Sequence, residues 1–145
     1  MNCINNYRKK VLFMTTFLMS VGVLFYILFC PETYFTQIFN RLFGDVSIIT
    51  SEKSIYSSKL FLFFRYYFLD CIWSYCLICI LTLLIEDSDG FKEAIFIGLV
   101  FIVFVELSQL LAIVPGSFDF LDIVMEIISA CLAVINLNIL RRHWS

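Results

Sequence analysis

FVELSQLLAIVPGSFDFLD (residues 104–122) carries Glu106, Gln109, Asp119 and Asp122 at the edge of what is otherwise lipid-like sequence. An apolar run precedes Pro115 and Gly116, and another follows Ser117, with Glu126 a turn further on. Pro and Gly together end a helix and make a turn. The stretch therefore reads as a hairpin of two apolar helices, with Ser117 or Asp119 placed to cap the second by accepting its free amides.

The rest of the chain repeats the apolar theme. Its 145 residues are 61% hydrophobic, 18% aromatic and only 15% charged, and the mean hydropathy is +0.94. Soluble domains are about 45–50% apolar and about 25% charged. Such a bias in a short chain points to one polytopic membrane unit, residues 1–145. With a net charge of −2 the chain offers no basic surface for nucleic acid.

About 20 apolar residues cross the hydrocarbon core of a bilayer as a helix. Four stretches have that length: 11–29, 66–85, 94–114 and 118–140. Lipid supplies no partner for an open backbone amide, so each is expected to be helical. The fold class is all-α, an integral membrane bundle of four transmembrane helices without internal repeat. A short interfacial helix is expected after the first span. In PETYFTQIFNRLFG, residues Phe35, Ile38, Phe39, Leu42 and Phe43 recur at helical spacing, which suits a helix lying in the interface.

The first span follows the basic segment YRKK. It exceeds the 7–15 residues of a signal h-region and lacks a small-residue cleavage site, so it reads as a retained span. Phe29 before Cys30 is too bulky for a lipoprotein junction. Lys and Arg near span ends set orientation. Arg8, Lys9 and Lys10 precede the first span, and Arg141 and Arg142 follow the last. Both termini are expected in the cytoplasm, with the turn EDSDGFKE (86–93) beside them and loop 31–65 outside. That loop also holds Arg41, Lys53, Lys59 and Arg65.

Cys71, Cys76, Cys79 and Cys131 fall within apolar runs, where a thiol packs as a small hydrophobe. The Cys76–Cys79 pair is formally a CxxC, but no second pair or histidine cluster accompanies it, and a thiolate is poorly solvated there. The only histidine, His143, lies in the tail RRHWS beside Trp144. No metal or cofactor motif is present, and no pattern reports an oligomeric state.

Folding the four spans brings the acids to one side. Asp70, Glu106, Asp122 and Glu126 all fall within roughly 10 Å of the outer boundary at 1.5 Å per residue. Glu106 and Gln109 share a helix face. Asp119, Asp122 and Glu126 make a stripe about 60° wide, and Tyr66, Asp70, Trp73 and Ser74 make another. Ionisable groups in spans turn inward or toward water. These stripes are expected to surround a polar pocket open to the outside.

The segment VELSQLLAIVPGSFDFLDIVMEIISACLAVI resembles the signature of the VanZ-like membrane proteins: a Glu-x-x-Gln near the end of one span, a short turn, then acids opening the last span. Glu106, Gln109, Asp119 and Asp122 hold those positions. RYYFLDCIWSYCL resembles the family's Asp-x-x-Trp pattern through Asp70 and Trp73. Together these cover roughly the C-terminal half. Ser117 stands where many relatives carry arginine, Glu126 where many carry asparagine, and Ser129 and Ala130 where a glycine is common, which suggests a divergent branch. The resemblance implies a bacterial inner-membrane protein, and teicoplanin-type glycopeptide resistance for the family's named member.

Three functional readings result. The first is a binding protein whose outward pocket engages a membrane lipid, a lipid-linked cell-wall precursor or an antibiotic. The second is an accessory subunit whose polar residues lock helices together. The third is an enzyme on a lipid-linked substrate, using carboxylates as acid and base or as ligands to a hard cation. No serine–histidine arrangement or metal motif supports the enzyme, and no catalytic residue is assigned.

Overall fold

A computed structural model describes residues 2–29, 38, 40–42, 44, 59–85, 90–113 and 118–144. Four long helices carry the fold: α1 (Asn2–Phe29), α2 (Lys59–Leu84), α3 (Gly90–Leu110) and α4 (Phe120–Trp144). All four are long and apolar enough to cross a membrane, over Asn6–Phe29, Tyr67–Leu84, Gly90–Leu110 and Phe120–Arg142. Spans of 18 to 24 residues rise about 27–36 Å, which matches a hydrocarbon core about 30 Å thick.

The helices alternate in direction. At one end Arg8 donates to the Leu83 carbonyl (3.1 Å), and Arg141 sits 5.4 Å above the Phe91 ring. At the other end Phe25 meets Phe68 (4.8 Å) and Tyr67 meets Asp119. The two termini thus share one end, with Arg8, Lys9, Lys10, Arg141 and Arg142, while Asp70, Glu106, Asp122 and Glu126 gather at the other.

Helices α2 and α4 form the central seam, and α1 and α3 flank it. The core runs through Val11, Ile78, Cys79, Ile102, Ala130, Ala133 and Leu137. Cys76 and Cys79 are buried free thiols; Cys76 donates to the Thr15 carbonyl across the α1–α2 contact. The buried row on α3 is Gly90, Ala94, Gly98, Ile102 and Glu106, spaced by four, with Ser108 beside it. Small residues at that spacing let membrane helices approach closely. The row also carries Glu106 into the same interface.

Helix bounds differ from the sequence reading in several places: α2 begins at Lys59, inside the expected loop 31–65, rather than at 66, and α4 runs from Phe120 to Trp144 rather than from 118 to 140. Helix α1 continues back through YRKK, whose long side chains are exposed at Arg8, Lys9 and Lys10 and reach toward the interface. Helix α3 begins at Gly90 rather than 94. It also stops at Leu110, five residues before Pro115. The stop is a Schellman motif: Ile113 N–H donates to the Ser108 carbonyl (2.9 Å) and Ala112 N–H to that of Gln109 (2.9 Å). Ala112 takes a left-handed φ of 54° to make it. Pro115, Gly116 and Ser117 lie outside the described residues. Of the expected interfacial helix, residues 38 and 40–42 are helical, and Gly44 N–H closes onto the Asn40 carbonyl (3.0 Å).

A left-handed backbone costs an L-residue roughly 1–2 kcal/mol, and glycine escapes that cost. Ala112→Gly is therefore expected to stabilise the α3 terminus by about 1 kcal/mol after glycine's larger unfolded-state entropy is offset. A raised thermal midpoint of the detergent-solubilised protein checks it.

A carboxylate cluster at one end of the bundle

Four carboxylates from three helices converge at the end opposite the termini. Asp70 on α2, Glu106 on α3, and Asp122 and Glu126 on α4 all lie within mutual electrostatic reach. Glu106 is four residues from the end of α3 and Glu126 six from the start of α4, so they sit about 6 and 9 Å below the helix ends. Both are almost fully enclosed, at 4% and 3% exposure. One carboxylate oxygen of each, Oε2, has no hydrogen-bond partner. Among the described residues, the charged groups that act on Glu106 and Glu126 are other carboxylates.

Neighbouring polar groups are satisfied, which sets the two glutamates apart. Ser108 Oγ bonds the Phe104 carbonyl in its own helix (2.7 Å), and Ser74 Oγ that of Cys71 (3.2 Å). Ser129 Oγ crosses from α4 to the Cys71 carbonyl on α2, and the Cys71 thiol returns a contact to the Met125 carbonyl (3.8 Å). These bonds stitch the central seam beside the acids.

Asp119 lies at the rim. Its Oδ1 accepts the Leu121 N–H (3.0 Å), so it is the N-cap of α4. Its Oδ2 accepts the Tyr67 hydroxyl (3.1 Å). Tyr67 is within electrostatic reach of Asp122 and Asp70 as well, and its ring packs on Phe63 at 4.6 Å. Gln109 is half-buried beside Glu106, and its backbone carbonyl serves the Schellman cap. Trp73 is not gathered in. It is 40% exposed, and its ring leans on Phe101 of α3 at 6.4 Å.

Tyr66, expected on the Asp70 face, has its side chain outside the described residues; Tyr67 is a rim residue that the sequence analysis does not single out. The available signal was spacing: Tyr67 precedes Asp70 by three and so shares its face. A second polar group lies elsewhere. Asn136 on α4 donates to the Tyr75 hydroxyl (2.7 Å), and Tyr75 donates to the Met14 sulfur on α1 (3.6 Å). These three residues line a largely apolar cavity of about 370 Å³ between α1, α2 and α4. The carboxylates occupy the other side of the seam, toward α3.

In chemical terms the cluster is an acceptor site. It offers carboxylate oxygens and the Tyr67 hydroxyl, with no histidine or thiolate partner among the described residues. No three His, Cys, Asp or Glu side chains of the described residues converge closely enough to hold a metal ion. Protein-family models, curated proteins and solved structures contain no match to this chain.

Proposed function

We propose that this chain is a VanZ-like protein of the bacterial inner membrane, with both termini cytoplasmic, whose outward carboxylate end binds an amphiphile of the cell envelope. The candidates are a membrane lipid, a lipid-linked cell-wall precursor and a glycopeptide antibiotic. The observation that carries the reading is the pair Glu106 and Glu126. Two nearly inaccessible carboxylates, each with an unbonded oxygen, are costly to keep in a span, and such residues mark binding and transport paths. The positions of Asp70, Glu106, Gln109 and Asp122 support the family resemblance, and the basic residues beside the termini support the orientation.

The interhelical-lock reading applies to different residues. Tyr67 with Asp119, and Ser129 with Cys71, bond across helices and hold them. The free Glu106 and Glu126 oxygens hold nothing. This contrast favours a ligand over a purely structural role.

The test is mass spectrometry of amphiphiles that co-purify with the full chain in mild detergent. Glu106→Gln combined with Asp122→Asn is expected to strip the bound species while protein abundance stays normal. A wild-type preparation carrying no specific amphiphile, or a double variant retaining it, would overturn the reading. For orientation, Ser117→Cys is expected to react with a membrane-impermeant maleimide from outside the cell. Protection of that position, with labelling of the 86–93 turn, would reverse the topology.

A further inference from the structure

We propose that the cavity between α1, α2 and α4 binds a neutral, lipid-soluble carbonyl compound of quinone or ketone type. Its oxygen displaces the Met14 thioether and accepts hydrogen bonds from Tyr75 and Asn136. The site lies across the central seam from the carboxylates and does not depend on a ligand there.

Two donors carry the assignment. Asn136 Nδ2 donates to the Tyr75 hydroxyl (2.7 Å) and also meets the Met14 sulfur (3.9 Å). Tyr75 sends its own hydroxyl hydrogen to that same sulfur (3.6 Å). A thioether is a weak acceptor, so an N–H and an O–H from two helices both end on a poor partner. A carbonyl oxygen offers two lone pairs and adds no donor that would itself need a partner. Met14 is unbranched, with three rotatable side-chain bonds, so it can yield the place.

The rest of the lining excludes charge. Phe17, Leu18 and Ile72 are apolar, and no Asp, Glu, Lys, Arg or His lines the cavity. An ion there would lose its water and gain no counter-charge. Ser129 and Cys71 are engaged within the protein: Ser129 Oγ bonds the Cys71 carbonyl, and Cys71 Sγ contacts that of Met125. A ligand is therefore held at the Tyr75–Asn136 end.

Depth and size narrow the class further. Met14 and Tyr75 each lie eight residues inside the start of their spans, about 12 Å in from opposite faces. Ester carbonyls of membrane lipids sit at the edge of the hydrocarbon core and fall short of that depth. A ring carbonyl dissolved in the hydrocarbon reaches it. Phe17 is 60% exposed and Asn136 is exposed, so the cavity opens on the lipid-facing side of the bundle. Its volume of about 370 Å³, at about 30 Å³ per water-sized group, holds about a dozen non-hydrogen atoms. One substituted ring has that size.

The probe is duroquinone, an uncharged ring whose four methyl groups leave no unsubstituted position for the Cys71 thiol. The full chain is placed in phosphatidylcholine nanodiscs with ¹³C-labelled methionine methyl groups. Duroquinone is expected to move the Met14 signal saturably, with Met14→Leu identifying that signal. Durene, the hydrocarbon of the same outline, is expected to leave it in place, and tetramethylphenol to bind more weakly than duroquinone. The thermal midpoint should rise over the same concentration range. Tyr75→Phe and Asn136→Leu each remove one donor and should weaken the apparent affinity about three- to tenfold. Should Tyr75→Phe fail to fold, Asn136→Leu, at an exposed position, carries the comparison. Met14→Leu keeps the volume but removes the competing sulfur, so duroquinone should bind severalfold more tightly, which a purely structural network would not produce. An unmoved Met14 signal, an equal response to durene or tetramethylphenol, or undiminished affinity in the donor variants would overturn the carbonyl site. Weaker binding by Met14→Leu would overturn the displacement of the thioether.

Discussion

Glu126→Met is expected to make the protein more stable, not less, and to abolish ligand binding. Glu126 is 3% exposed and its Oε2 has no partner. Leaving a buried polar atom unsatisfied costs about 1–3 kcal/mol. Methionine fills a similar unbranched volume without the orphan oxygen, so a gain of that size is expected in a denaturant or thermal titration. Glu106→Met should behave alike. The double variant should not equal the sum, because the two carboxyl groups act on each other and neighbouring sites couple. Asp119→Ala gives the opposing result. It removes the N-cap of α4, which costs about 0.5–2 kcal/mol, together with the bond from Tyr67. Acids that lock the bundle lose stability when neutralised, whereas acids kept for a ligand gain it. A destabilised Glu126→Met protein would mean that this carboxylate carries native bonds, and the ligand reading would fail with it.

The sequence foretold the depth of the acids better than their surroundings. Four apolar runs and an even span count were enough to bring Asp70, Glu106, Asp122 and Glu126 to one end, because depth follows from residue number alone. Facing was less legible. Asp70 and Trp73 lie three apart, so the indole sits on the flank of the Asp70 face, and packing turned it to Phe101. Tyr67 precedes Asp70 by three, and its bond to Asp119 reaches 52 residues along the chain, a pairing that no local pattern announces. The end of α3 was hidden for another reason. Pro115 and Gly116 are the visible helix breakers, yet the chain turns at Ala112, a residue with no turn signature. Asp119 was legible as a cap because Asp at a helix start has a local role, independent of tertiary packing. The orphan oxygens of Glu106 and Glu126 are a property of three helices together and leave no mark in any one segment.

The largest structural effect is expected at Gly98. A Cβ there would stand 2.4 Å from Ile78 Cδ1 and 3.2 Å from Leu81 Cδ1, and Ile78 is fully buried. Gly98→Leu must therefore push α3 away from α2, and overpacking of this kind costs about 1–3 kcal/mol. Glu106 lies eight residues further along the same buried row, about 12 Å along the axis. Displacing α3 would thus carry Glu106 out of register with Glu126, and ligand binding should fall along with stability. The smaller change is more diagnostic. Gly98→Ala meets only side-chain ends, so its cost depends on whether Ile78 can yield. Ile78→Val removes the Cδ1 methyl that blocks the new Cβ. In that background Gly98→Ala should become neutral or favourable, since alanine exceeds glycine in helix propensity by about 0.8–1.0 kcal/mol. A coupling of about 0.5–3 kcal/mol between the two positions is expected for groups in contact. Additive effects in that double-mutant cycle would show that Gly98 is not where α3 rests on α2, and the placement of Glu106 opposite Glu126 would lose its mechanical basis.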